Sequence, residues 1–144
     1  MMRLNTLSPE LAQSVLDATP EKRGRAVIAA CRFALQASGV DAPDAVRFID
    51  LVESGAPISA KLREELEMWA ERLDDVYLDA LEAAEDGAEA AQLHLTLFAQ
   101  ARAAASILYA ADCARAEGAA EAIYEAIASV DLQTIKSIIM DELG

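Results

Sequence analysis

Three carboxylate pairs lie along one stretch of this chain: Glu64-x-x-Glu67, Glu71-x-x-Asp74 and Glu82-x-x-Glu85. Acids three apart on a helix share a face, and such pairs contributed by several helices can hold magnesium. Here all three pairs fall on one predicted helix and point largely outward. A magnesium site needs ligands converging from different elements, so the expectation is no metal and no cofactor.

Other chemistry is thinly represented. A zinc site needs several Cys or His ligands, and the chain has one histidine, His94, and two distant cysteines, Cys31 and Cys113. A di-iron bundle site needs a Glu-x-x-His pair on each of two helices, which a single His excludes. Gly-rich phosphate loops, dinucleotide turns and acidic calcium loops are absent from the sequence. No flanking pattern supports nucleophilic catalysis by Cys113 or a serine with His94. His94 reads as a partly buried structural residue, Trp69 as a packing residue, and the two cysteines as buried free thiols.

What remains is an acidic block. Between Leu73 and Ala101 there is no Lys or Arg, while Asp74, Asp75, Asp79, Glu82, Glu85, Asp86 and Glu89 all occur. At about 100° per residue, Glu71, Asp75, Asp79, Glu82 and Asp86 fall opposite Leu66, Leu73 and Tyr77. A solvent face normally mixes signs, because like charges one turn apart cost some tenths of a kcal/mol. Lys61, Arg63 and Arg72 follow that habit among Glu64, Glu65 and Glu67, and then the cations stop. Leu78 projects into the acidic face, as an apolar anchor inside a charged rim would. The candidate partner-binding set is Asp75, Leu78, Asp79 and Glu82, rimmed by Glu71, Asp74 and Asp86.

The elements that must carry these residues are helices. Hydrophobic residues make up 54% of the 144, yet aromatics only 5%; the Ala-rich remainder favours helices that approach closely. Ser8-Pro9, Thr19-Pro20, Asp41-Ala42-Pro43, Ser59 and Asp131 are start signals, and Gly39, Gly55, Asp86-Gly87 and Gly118 are stops. The predicted helices span about 9–17, 20–38, 43–54, 60–85, 88–116, 119–130 and 132–143. Leu62, Leu66, Trp69, Leu73, Tyr77, Ala80 and Ala84 give the fourth a seam. Leu93, Leu97, Ala101, Ala104, Leu108 and Ala111 give the fifth a matching stripe. Val46, Ile49, Leu51 and Val52 are the apolar positions of the third. The expected fold is an all-α, single-domain compact bundle of about seven helices, spanning 1–144, around a long antiparallel central hairpin.

The formal net charge is −13, from 25 acids against 12 Lys and Arg. Such a chain repels nucleic-acid phosphates and attracts basic partners. Lys22, Arg23, Arg25 and Arg32 form a small basic cluster, read as an exposed turn or an internal counterpart to the acids. The longest apolar stretch, Ala103 to Ala111, is too short to span a bilayer, and the first residues carry no secretory pattern. The chain is expected in the cytoplasm, with no nucleic-acid or membrane partner.

Three functional expectations follow. The first is a non-enzymatic acidic protein-binding module, an immunity- or antitoxin-like inhibitor of a basic, nuclease-type toxin. Bacterial nuclease-immunity proteins are similar in style, being small, helical and acidic, without a residue motif shared with this chain. The second is an all-α magnesium-dependent nucleotide pyrophosphatase-like enzyme built on the carboxylate pairs. The third is a helical scaffold or homo-oligomer using the small residues Ala103, Ala104 and Ala105.

Overall fold

The structure, a computed structural model, describes residues 2–83 and 86–144. Among them lie eight helices and no strand: α1 (Leu4–Leu7), α2 (Pro9–Asp17), α3 (Pro20–Ala37), α4 (Pro43–Ser54), α5 (Ala60–Glu82), α6 (Ala88–Ala110), α7 (Ala116–Ser129) and α8 (Leu132–Leu143). The fold is an all-α bundle.

Helix starts follow from side-chain chemistry. Ser8, Thr19, Ser59 and Asp131 each accept from a backbone N–H three residues on, at 3.2, 3.3, 3.1 and 2.7 Å. Each bond satisfies one of the donors a helix leaves free in its first turn. Pro9, Pro20 and Pro43 occupy the opening turns, where their missing N–H is no loss. Gly55 closes α4 in the left-handed conformation, at φ +71°.

The centre is built from α3, α6 and α7. The apolar face of α3, carrying Val27, Ile28, Cys31, Ala34 and Leu35, is buried, and α3 packs on α6, α7 and α8. The most extensive pairing is α6 with α7, followed by α5 with α6. Small residues make this closeness possible: Ala103, Ala104, Ala110, Ala119, Ala120, Ala122 and Ala126 are all inaccessible to solvent. Ile107, Ile123, Ile135 and Ile139 fill the remaining space, each contributing roughly 1.5–3 kcal/mol by burial.

The long hairpin is present, and its two halves differ. His94 Nε2 donates to the Ala80 carbonyl at 3.0 Å. Tyr77 and Phe98 meet edge to face at 5.3 Å, and Arg102 reaches Asp74 at 2.6 Å. Each step of three up α5 thus matches a step of four down α6, which is antiparallel pairing. Near its base Leu62, Leu66, Ala70, Ala101 and Ala104 are buried; toward its tip Val76, Leu78, Leu81, Leu93 and Leu95 are exposed.

Several boundaries and faces depart from expectation. The short α1, unanticipated, buries Leu4 and places Arg3 beside α7. The α6 helix ends at Ala110 rather than near 116, in a turn closed by Asp112 N–H to Tyr109 O and Cys113 N–H to Ala110 O. Gly118 is not a stop but lies in the first turn of α7, which starts at Ala116 rather than 119. A Cβ there would sit 2.3 Å from the Asp112 carbonyl oxygen, so this glycine serves close approach. In α4 the buried residues are Ala45, Phe48 and Ile49, with Val46 exposed; Phe48 carries the volume that reaches the core and sets the face. Leu93, expected on the packed stripe of α6, is exposed because it lies near the hairpin tip. The positions Ala84 and Glu85, assigned above to the α5 helix, lie outside the described residues.

Candidate functional site

On α5, one turn after another, Glu71, Asp75, Asp79 and Glu82 are exposed. Asp86, beyond the helix, is exposed too. Leu78 stands among them at 51% exposure, with Val76 and Leu81 also open to solvent. No helix among the described residues covers Leu78 fully; it edges a groove whose far side carries Tyr124 and Ala128 of α7. Asp75, Asp79 and Glu82 take part in none of the ion pairs among the described residues. The fold therefore holds an uncompensated acidic ridge with apolar side chains set into it.

Asp74 differs from the other six candidates. It is half-buried and engaged with Arg102, so it is no free rim carboxylate.

Arg102 belongs to a second constellation that sequence reasoning missed. α5 and α7 both pack on α6, and Arg102 of α6 reaches to both, donating to Asp74 Oδ1 at 2.6 Å and Glu125 Oε2 at 2.8 Å. Glu125 is only 3% exposed. Its other oxygen accepts from Arg3 at 2.9 Å, and Arg3 also donates through Nε to Glu121 at 3.0 Å while lying 4.2 Å over the Tyr124 ring. An unpaired carboxylate buried this deeply would be strongly destabilising; two guanidinium groups compensate it. The bond to Glu121, foremost, raises the Arg3 pKa further above its ordinary value. A signal existed in the sequence: Arg102 is the lone Lys or Arg of α6, amid alanines, and such an arginine needs a partner.

The Arg102 crossing divides the groove between α5 and α7. On one side the α5 wall carries Glu64, Glu67 and Glu71 over a floor of Ala105, Leu108 and Tyr109, enclosing about 750 Å³. On the other, Tyr77, Leu78, Phe98 and Tyr124 line about 340 Å³. Two of the three carboxylate pairs thus face one groove, but from a single helix. Glu125, the acid opposite, is engaged by two arginines. Among the described residues no group of three or more His, Cys, Asp or Glu is placed to hold a metal ion. Glu82-x-x-Glu85 is only half described, since Glu85 lies outside the described residues.

The remaining candidates have structural roles. Within the basic cluster, buried Arg23 donates to the carbonyls of Val15, Leu16, Ala18 and Ala114 at 2.7–3.0 Å. It ties the end of α2 to the α6–α7 turn, satisfying carbonyls that a helix end leaves free. Arg32 pairs with Asp50 and Glu53 of α4. Trp69 is half-buried, packs against the core and lies beside Ala42 and Pro43 at the start of α4. Cys31 and Cys113 are buried and unbridged; the Cys31 thiol donates to Ser106 O at 3.5 Å. Ala103 and Ala104 are wholly buried within the chain, whereas Ala105 is only partly covered and lies in the groove floor. No described helix is long and apolar enough to cross a membrane.

No known family, curated protein or solved structure was found to match this chain.

Proposed function

We propose that this chain is a non-enzymatic, cytoplasmic binding protein for a basic polypeptide, and most specifically an immunity- or antitoxin-like inhibitor of a nuclease-type toxin. The observation that carries this reading is the exposure of Leu78 within the ridge of Asp75, Asp79 and Glu82. Apolar side chains left in solvent and rimmed by charge have the makeup of an interaction patch, which a surface of opposite charge can cover. A nuclease cleft is such a surface, since it is built to attract phosphates. An acidic ridge entering it would gain rate from electrostatic steering and would deny the cleft to nucleic acid.

The test is functional. Basic proteins from the source cells are captured on the immobilised chain, released with salt and assayed for cleavage of DNA and RNA with and without added chain. The reading expects cleavage that the chain suppresses. A released protein that cuts equally well at saturating chain would remove the inhibitor reading.

A further inference from the structure

We propose that the groove between α5 and α7 seats a basic amphipathic helix of the partner, with the exposed ridge of α5 as its outer rim. This deepens the reading above and rests on its premise that the partner is basic.

The shape argues for a helix. α5 forms one wall and α6 the floor, with Glu125 and, past Arg102, Tyr124 and Ala128 of α7 opposite, so a helix laid in the groove could pack against all three. From Glu64 to Leu78 the α5 wall rises about 21 Å, enough for about 14 residues of helix. The floor supplies the apolar contact: Ala105 is small, Leu108 is half-buried, and Tyr109 is exposed at the groove edge. A bulky aliphatic side chain above Ala105, packing on Leu108 and Tyr109, has the makeup of an interface anchor.

Charge selects the occupant. The wall repeats acids at Glu64, Glu67, Glu71 and Asp74, which matches Lys or Arg at spacings of three and four on an opposing helix. Among these acids only Asp74 is engaged internally, by Arg102. A second copy of this chain would instead bring another −13 and the same acids against the wall. Where Arg102 bridges from Asp74 to Glu125, the floor rises, and the seated helix needs a small residue there with its cations to either side.

The probe is a synthetic, fluorescently labelled peptide of about 18 residues, Leu on one helical stripe and Lys on its flanks, with a Leu/Glu counterpart. Anisotropy reports binding to the full chain. Wild type should bind the Lys peptide and not the Glu peptide. Glu64→Lys with Glu67→Lys, and separately Ala105→Trp, should each weaken binding at least about tenfold. Asp75→Lys with Asp79→Lys and Glu82→Lys, on the ridge that a whole partner would also cover but this short peptide does not reach, should weaken peptide binding no more than about threefold, through steering alone. Circular dichroism verifies folding, and the paired wall substitutions are surface changes that keep the test valid if Ala105→Trp misfolds. If the wall variant binds as wild type does while the ridge variant loses binding, the groove is not the seat and the ridge reading survives. Binding of neither peptide, or equal binding of both, would also overturn the groove proposal. Self-association abolished by the groove substitutions would assign the groove to a second copy instead.

Discussion

Arg102 and Glu125 hold three helices together through one buried carboxylate. Removing Arg102 leaves Glu125 with Arg3 alone, and Arg3 is the more exposed of the two guanidinium groups. Arg102→Met should therefore cost about 1–3 kcal/mol by urea denaturation, because one oxygen of the buried carboxylate loses its donor while Arg3 still holds the other. Arg3→Met should cost about 1 kcal/mol, in line with a half-exposed pair. If Arg102→Met melts like wild type, the network contributes little and α5 is held by packing.

The cysteines give a pH prediction. Burial pushes the Cys31 thiol up to about 12, from an ordinary 9.0, and burial raises Cys113 as well. The folded chain then holds the Cys31 proton more tightly than the unfolded chain does. That contribution is full below pH 9 and is lost as pH rises from there through about 12. Urea midpoints followed across this window should fall more steeply for wild type than for Cys31→Ala. Parallel curves would mean that the thiol titrates as it does in the unfolded chain. At this scale the sequence was partly legible. His94, read as a partly buried structural residue, holds the hairpin through Ala80. Arg102 and Glu125 escaped because ion pairing across three helices leaves no periodic trace.

Among the elements, glycine had two readings that only packing could separate. Gly39 and Gly55 sit at positive φ as helix stops, where their lack of a side chain removes the steric penalty. Gly118 sits inside α7, where the turn from α6 comes within reach of any side chain. Gly118→Ala should cost about 1–3 kcal/mol through overpacking against backbone. Gly24→Ala in α3 offers the contrast, because its Cβ would meet Cys113 Sγ at an ordinary 3.6 Å. That substitution should stabilise by about 0.5–1 kcal/mol through helix propensity. Thermal melting of both variants should show shifts of opposite sign; a stable Gly118→Ala would mean that the close approach is not required. Caps and prolines made the helix starts legible, since they act within four residues. The face of α4 was not, because Val46 and Phe48 are both apolar and only the neighbouring helices decide which is covered.

At the level of the molecule, periodicity showed that helices have buried faces but not which faces meet. The hairpin could be read from two long stripes separated by Asp86-Gly87, whereas the central place of α3 and the groove between α5 and α7 could not. Both are products of how eight helices share one core. The acidic ridge was legible for the opposite reason: it is a surface property, visible as a run of the chain without a cation. Its consequence is long-range. With 25 acids against 12 Lys and Arg, and the hairpin tip wholly without Lys or Arg, the acids there have no cation beside them in the sequence where the apolar side chains are open. Association through that face should weaken steeply with salt, as screening shortens to about 8 Å at physiological ionic strength.

The decisive comparison is retention of proteins from source-cell lysate on immobilised wild type and on the Asp75→Lys, Asp79→Lys, Glu82→Lys variant, with retained proteins identified by mass. All three positions are exposed, so helix content and melting should change little, which circular dichroism verifies. A basic protein held by wild type and lost from the variant is the expected result. Equal retention on both, or no basic protein on either, would contradict the acidic ridge as a binding surface.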